Sequence, residues 1–271
     1  GIFAHISNPP LMKMDLNGTL TGQTAEKVEA SDDSKTWTFT IRDDLYWSDG
    51  EKLTAEDVLF SIEYTGKHNP NAAWIANTME KAEVIEKNKL GLTFTKPYTR
   101  LRLEFSTYNI FPKHIYEDID DPMQQLNPGE NVGFGPFVIS SIDLDAGQIR
   151  FDRNEFWQGE KPEIDGFEIH IYKNIDILSL ALERGDIDTY YKYASSYPYP
   201  NIKRLEGTGG FNFTRTLNMG LVFLAFNTRK GPAVDLDLRR ALSYAVDYEE
   251  ILKLDALGYG EIPNRGFVPP S

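Results

Sequence analysis

Four histidines and 41 carboxylates are the side chains with which this 271-residue sequence could do acid–base or metal chemistry. His5, His68, His114 and His170 lie far apart, and none has a second His or a Cys at the short spacing that builds a zinc site. There is no cysteine, which removes thiolate nucleophiles, disulfides and zinc–thiolate centres together. Adjacent acids such as Asp43-Asp44, Asp120-Asp121 and Glu249-Glu250 are the residue type of a glycosidase couple, in which one carboxyl protonates the leaving group and the other attacks or activates water. With so many acids in the chain, such pairs arise on any solvated surface and carry no specific signal. Gly133-Phe134-Gly135 lacks the third glycine of a dinucleotide loop and runs into Pro136, which has no N–H to offer a phosphate. These residues imply no metal and no cofactor.

Aromatic residues carry more information. They make up 13% of the chain, and several tyrosines fall between Tyr190-Tyr191-Lys192-Tyr193 and Tyr197-Pro198-Tyr199-Pro200, a stretch too broken by proline to be a regular core element. Tyr is stiff and amphipathic, so such residues line wet clefts as readily as they cap the edge of a core. Trp74, after the turn Asn69-Pro70-Asn71, poses the same choice. Trp37, Trp47 and Trp157 sit in or beside strand-like segments and read as structural. A net charge of -13 opposes phosphate backbones and anionic lipid, so nucleic acid is not expected as a partner.

The elements that must hold these residues follow from periodicity. Up to about Glu29 the chain reads as irregular, with turns at Pro9-Pro10 and Asn17-Gly18. Thr36 to Ile41 alternates polar and apolar side chains with period two, which predicts a strand buried on one face. Thr54 and Asp57 form a shortened capping box before Val58, Leu59 and Ile62, predicting a helix that Gly66 could end. Val84-Ile85 and Leu90 to Phe94 flank a hairpin turn at Asn88-Lys89, and Pro112 starts a short helix through Tyr116. Asp118 to Asn131 reads as a surface loop. Phe137 to Ile142 pairs with Gln148 to Phe151; Phe167 to Ile171 is a further strand, and Ile177 to Arg184 a helix stopped at Gly185. Met219 to Phe226 is nearly continuous in apolar residues and predicts a strand covered on both faces. Leu238, Leu242 and Ala245 give an amphipathic helix, followed by another up to Gly258. No apolar run approaches the roughly 20 residues that cross a bilayer. A hairpin-rich first half changes to α/β near Pro162 to Asp165, in line with roughly two domains for this length.

Several motifs then coincide with a known pattern. Ser34 to Arg42, Trp47-Ser48-Asp49-Gly50 and Leu53-Thr54-Ala55-Glu56-Asp57-Val58 closely resemble the signature of the extracellular solute-binding proteins of the oligopeptide, dipeptide and nickel class, family 5, which serve ABC importers. The likeness continues in order through Pro112-Lys113-His114-Ile115, Gly133-Phe134-Gly135-Pro136-Phe137, Arg153 to Pro162, Glu183 to Asp188, Phe226 to Pro232 and Arg239 to Asp247. Phe134 stands where the family loop has Thr, and Tyr248 where a basic residue is usual.

The resemblance implies a mixed α/β, periplasmic binding protein-like type II fold, with residues 1–31 and 165–271 as part of lobe I and 32–164 as an inserted, hairpin-rich domain II. Family members run to about twice this length, so the sequence, which begins without Met, reads as a fragment truncated at both ends and lacking the distal lobe. The implied function is capture of oligopeptides, dipeptides or a similar small solute by lobe closure, with delivery to ABC permease subunits and no bond made or broken. The implied protein is a periplasmic or cell-surface monomer, lipid-anchored at full length. For the site, the resemblance and the aromatic content point to Trp74, Tyr108 and Asn109 on one side and to Tyr191, Tyr193, Phe223 and Asn227 on the lobe I side. A glycoside hydrolase and a sensory or adhesion module reusing the fold are the alternatives.

Overall fold

The computed structural model describes residues 2–15, 17–120, 130–191, 198–214 and 223–262. In chain order they form helix α1 (Ile2–Ser7), strands β1 (Met12–Met14), β2 (Leu20–Gly22), β3 (Ala25–Ala30) and β4 (Thr36–Ile41), and helices α2 (Ala55–His68) and α3 (Ala73–Thr78). Strands β5 (Met79–Glu86) and β6 (Lys89–Phe94), short helices α4 (Leu101–Glu104) and α5 (Lys113–Tyr116), and strands β7 (Phe137–Asp143), β8 (Gln148–Arg153) and β9 (Gly166–His170) follow. Helices α6 (Ile175–Arg184), α7 (Tyr199–Thr208), α8 (Leu236–Ala245) and α9 (Tyr248–Leu254) complete the chain. It divides into two compact units, Gly1–Ile171 and Tyr172–Ser271.

The first unit is built on an antiparallel sheet of order β3-β4-β6-β5. Its central strand β4 carries the period-two pattern into the fold: Trp37, Phe39 and Ile41 are buried, and Thr38 and Thr40 between them are only partly covered. Leu90, Leu92 and Phe94 of β6 meet them, and α2 adds Val58 and Ile62 to the same core. Each such side chain, taken fully out of water, contributes about 1.5–3 kcal/mol. A second antiparallel sheet, β7-β8-β9, and the two-stranded β1-β2 sheet complete the unit's strands.

Several expectations from the sequence change. The opening stretch is ordered: α1 and the β1–β2 hairpin precede β3, whose run Ala-Glu-Lys-Val-Glu-Ala buries only its first residue. A charged edge strand needs pairing on one side alone, so it shows no apolar alternation. Gly66 does not end α2. The helix runs two residues further and stops at Asn69, which is extended (φ -106°) because Pro70 disfavours helical geometry in the residue before it. Gly66 instead lies inside the helix, where a Cβ would meet Ile75 of α3 at ordinary contact distance.

The second unit is helical among the described residues. Asn174 caps α6 through its side-chain oxygen, and Gly185 ends it in the left-handed region (φ 75°), as the sequence predicts. Asn201 Nδ2 donates to Ser179 Oγ (2.7 Å), Glu183 pairs with Arg204, and Tyr199 stacks on Tyr259. The expected strand over Met219 to Phe226 lies partly outside the described residues; its described part, Phe223 to Phe226, is not a strand, and Phe223 and Leu224 are exposed. A strand covered on both faces requires neighbouring strands, and the described residues of this unit contain none.

Candidate functional site

Trp74, Tyr98 and Tyr108 meet at the rim of the first core. Asn69 accepts from Asn71 N–H and starts the turn through Pro70 that leads into α3, and Ala72 and Ile75 anchor that turn and helix against α2. Between these anchors Trp74 is left half-buried. Its indole lies parallel to the Tyr98 ring, with centroids 4.5 Å apart and planes 2° apart, and both stack towards buried Phe94. Trp74 Nε1–H donates to Tyr108 Oη (3.1 Å), and the Tyr108 ring meets the edge of Phe105. Burial pushes the Tyr98 hydroxyl above its usual pKa. Burial does the same to Tyr108 and outweighs the opposing bond from Trp74, so both phenols stay protonated at neutral pH. The trio offers a flat aromatic surface beside two hydroxyls.

Asn109 does different work. Its Nδ2 donates to the Asn8 carbonyl (2.7 Å), and Asn8 Nδ2 donates back to the Ile110 carbonyl (2.9 Å). A bridge between Pro10 and Asn109 and a contact from His5 Nε2 to the Thr107 carbonyl (3.3 Å) extend this clasp. The Asn109 amide therefore fastens the loop that presents Tyr108.

The other expected site residues belong to the second unit. Tyr191 and Phe223 are exposed, and Asn227 accepts from the N–H groups of Arg229 and Lys230, closing its own turn. Tyr193 lies outside the described residues. Tyr98 and Asn8 were not singled out by residue type, His5 was considered only as a metal or acid–base residue, and no local pattern marks the contacts of Tyr98 with Trp74 or of His5 and Asn8 with residues 107 and 110, which lie 24 to about 100 positions away. Among the described residues no three His, Asp or Glu side chains converge as metal ligands.

The motifs quoted above converge elsewhere in the first unit. Trp47 is fully buried with its ring edge-on to Phe134 (5.0 Å) and near His114 (6.5 Å). Ser48 N–H donates to the Gly133 carbonyl (2.8 Å), Gly133 N–H donates back to Ser48 Oγ (3.2 Å), and His114 Nε2 lies 2.8 Å from Asp49. Asp57 accepts from Thr54 N–H at the start of α2 and from Lys113 N–H at the start of α5. Asn154 Nδ2 donates to the Gly135 carbonyl, and a Cβ on Gly135 would overlap the Ile6 carbonyl. Residues 19–271 match the model of the bacterial extracellular solute-binding proteins, family 5.

The chain belongs to that family. Curated relatives include the nickel-binding periplasmic protein of Escherichia coli, 27% identical over 96% of this chain and 50% of the relative, and the oligopeptide-binding protein OppA of Bacillus subtilis, 25% identical over 96% and 51%. The crystal structure of NikZ from Campylobacter jejuni in complex with Ni(L-His) superimposes with a TM-score of 0.82 at 26% identity, covering 96% of this chain and 51% of that one. The chain thus spans about half the length of the relatives it matches, and those relatives are binding proteins by name. In this family-5 chain the quoted motifs of the first unit serve architecture: Trp47, Asp57, Gly133, Gly135 and Asn154 tie successive loops of the chain together.

Proposed function

We propose that the protein is the solute-capturing component of an ABC importer, taking up peptides or a similar small solute outside the cytoplasm and handing it to membrane permease subunits without chemical turnover. Family membership over residues 19–271 is the observation that carries this reading. In it, residues 1–31 and 165–271 contribute to one lobe and 32–164 form the inserted domain. Trp74 and Tyr108 meet the solute from the inserted domain, Asn109 holds their loop, and Tyr191, Tyr193, Phe223 and Asn227 belong to the lobe I side.

Capture then depends on differential affinity. A ligand that contacts both lobes binds the closed arrangement more tightly than the open one and shifts the population towards it. Peptide main chain suits such a cleft because it supplies the same donors and acceptors whatever its side chains, while aromatic walls accept varied groups. The protein works as a monomer, periplasmic or held at the cell surface by a lipid anchor, and its charge of -13 keeps it from nucleic acid.

Thermal unfolding of the protein in its full natural length, with a pool of di- to pentapeptides, tests the reading. A ligand at a hundred times its Kd adds about 2.7 kcal/mol and raises Tm by several degrees. An unchanged Tm across peptides would refute peptide capture, and failure to retain a permease from solubilised membranes would refute the transport role.

A further inference from the structure

Tyr98 belongs to neither the quoted motifs nor the expected site, yet its ring lies flat against Trp74. The two rings are parallel within 2° at 4.5 Å, a sheet-like stack between residues 24 positions apart. Tyr98 is itself held from below: its N–H donates to the Ser34 carbonyl (3.0 Å), which also accepts Trp37 Nε1–H (3.2 Å). Ser34 sits in the turn between β3 and β4 with φ at +54°, a left-handed conformation that a non-glycine residue holds only when its surroundings require it. Asp33 secures that turn by accepting from Ser31 Oγ and Lys35 N–H. Trp74 is thus clamped at two points, its face by Tyr98 and its only donor by Tyr108 Oη.

We propose that Tyr98 is a positioning residue for solute recognition: it holds the Trp74 indole in one orientation, so that this wall of the site recognises an apolar or planar solute group through ring contact and not through the indole N–H. The proposal rests on the solute-binding reading above and adds a residue and a mode of contact to it. With Nε1–H committed to Tyr108, a hydrogen bond from Trp74 to a solute would require breaking an existing one, whereas stacking on a preset ring does not incur the ordering cost of a mobile one.

The test separates positioning from binding. In the full-length protein labelled with 5-fluorotryptophan, the Trp74 fluorine resonance is assigned by its loss in Trp74→Phe. Tyr98→Leu should shift or broaden that resonance through loss of the ring current and leave the other tryptophan resonances in place, while Tyr98→Phe, which keeps the ring, should leave every resonance unchanged. Titration with a di- to pentapeptide pool should then show affinity reduced about three- to ten-fold in Tyr98→Leu and retained in Tyr98→Phe. An unmoved Trp74 resonance in Tyr98→Leu overturns the proposal. So does a moved resonance with unchanged affinity, provided Trp74→Phe weakens binding. If Trp74→Phe leaves binding intact, Trp74 is not a solute wall and the recognition part of the proposal falls, while the fluorine spectra still decide whether Tyr98 orients the ring.

Discussion

At the scale of single residues, Tyr108 and His5 make the sharpest tests. Tyr108→Phe removes the acceptor of Trp74 Nε1–H and keeps the ring against Phe105, so urea unfolding should show a loss of about 1 kcal/mol. His5 is half-buried in the clasp beside the Thr107 carbonyl, and burial lowers its pKa below 6.5, outweighing the bond to that carbonyl. The folded chain therefore binds the His5 proton less readily than the unfolded chain. The stability contributed by neutral His5 is complete above about pH 6.5 and is lost as pH falls from there towards the lowered folded value. Equilibrium unfolding between pH 7 and pH 5 should fall less steeply in His5→Gln than in the wild type, and an identical slope would show that His5 does not contribute. Neither residue could be assigned a partner from sequence. Tyr108 and Trp74 are 34 positions apart, and nothing in their neighbourhoods records the turn at Ser34 that holds Tyr98 against the Trp74 face.

Among the elements, α2 begins where two motifs interlock. Asp57 is nearly fully buried and accepts the N–H groups of Thr54 and Lys113 with separate oxygens. Asp57→Ala should lower stability by about 1–3 kcal/mol and expose the Lys113 amide to faster hydrogen exchange; unchanged exchange would show that the link to α5 is not made. Gly135→Ala should destabilise by about 1–3 kcal/mol, since the added carbon meets the Ile6 carbonyl, whereas Gly185→Ala tests only backbone freedom at the end of α6. Strands and helices with a strong period were legible: Thr36 to Ile41 and the helix ending at Gly185 lie where the pattern places them, and the predicted hairpin forms with its turn one residue earlier, at Lys87-Asn88, because Lys89 already pairs with Glu86. The charged edge strand β3 and the end of α2 were not, because one depends on a neighbouring strand and the other on Pro70 overriding Gly66. For the candidate site, residue type drew notice to Trp74 and the family resemblance added Tyr108 and Asn109, but neither showed that the Asn109 amide would be consumed in holding Asn8.

On the scale of the whole molecule, the two units differ in how much they bury. Every member of the main apolar cluster lies between Leu11 and Phe134, while among the described residues of the second unit only Ser179, Ala181 and Leu205 are buried. Residues 1–171 expressed alone should unfold cooperatively in urea, and residues 172–271 alone should show a broad transition; a sharp transition in the latter would show that its helices make a core of their own. The clasp between Asn8 and residues 109 and 110 joins parts of the chain about 100 positions apart. During synthesis at about 5–20 residues per second, the N-terminal segment therefore waits on the order of 5–20 seconds for its partner to be made. Throughout that interval residues 2–10 remain open to proteases and to chaperones, and nascent chains halted before residue 110 should be cut there by brief digestion that longer chains resist.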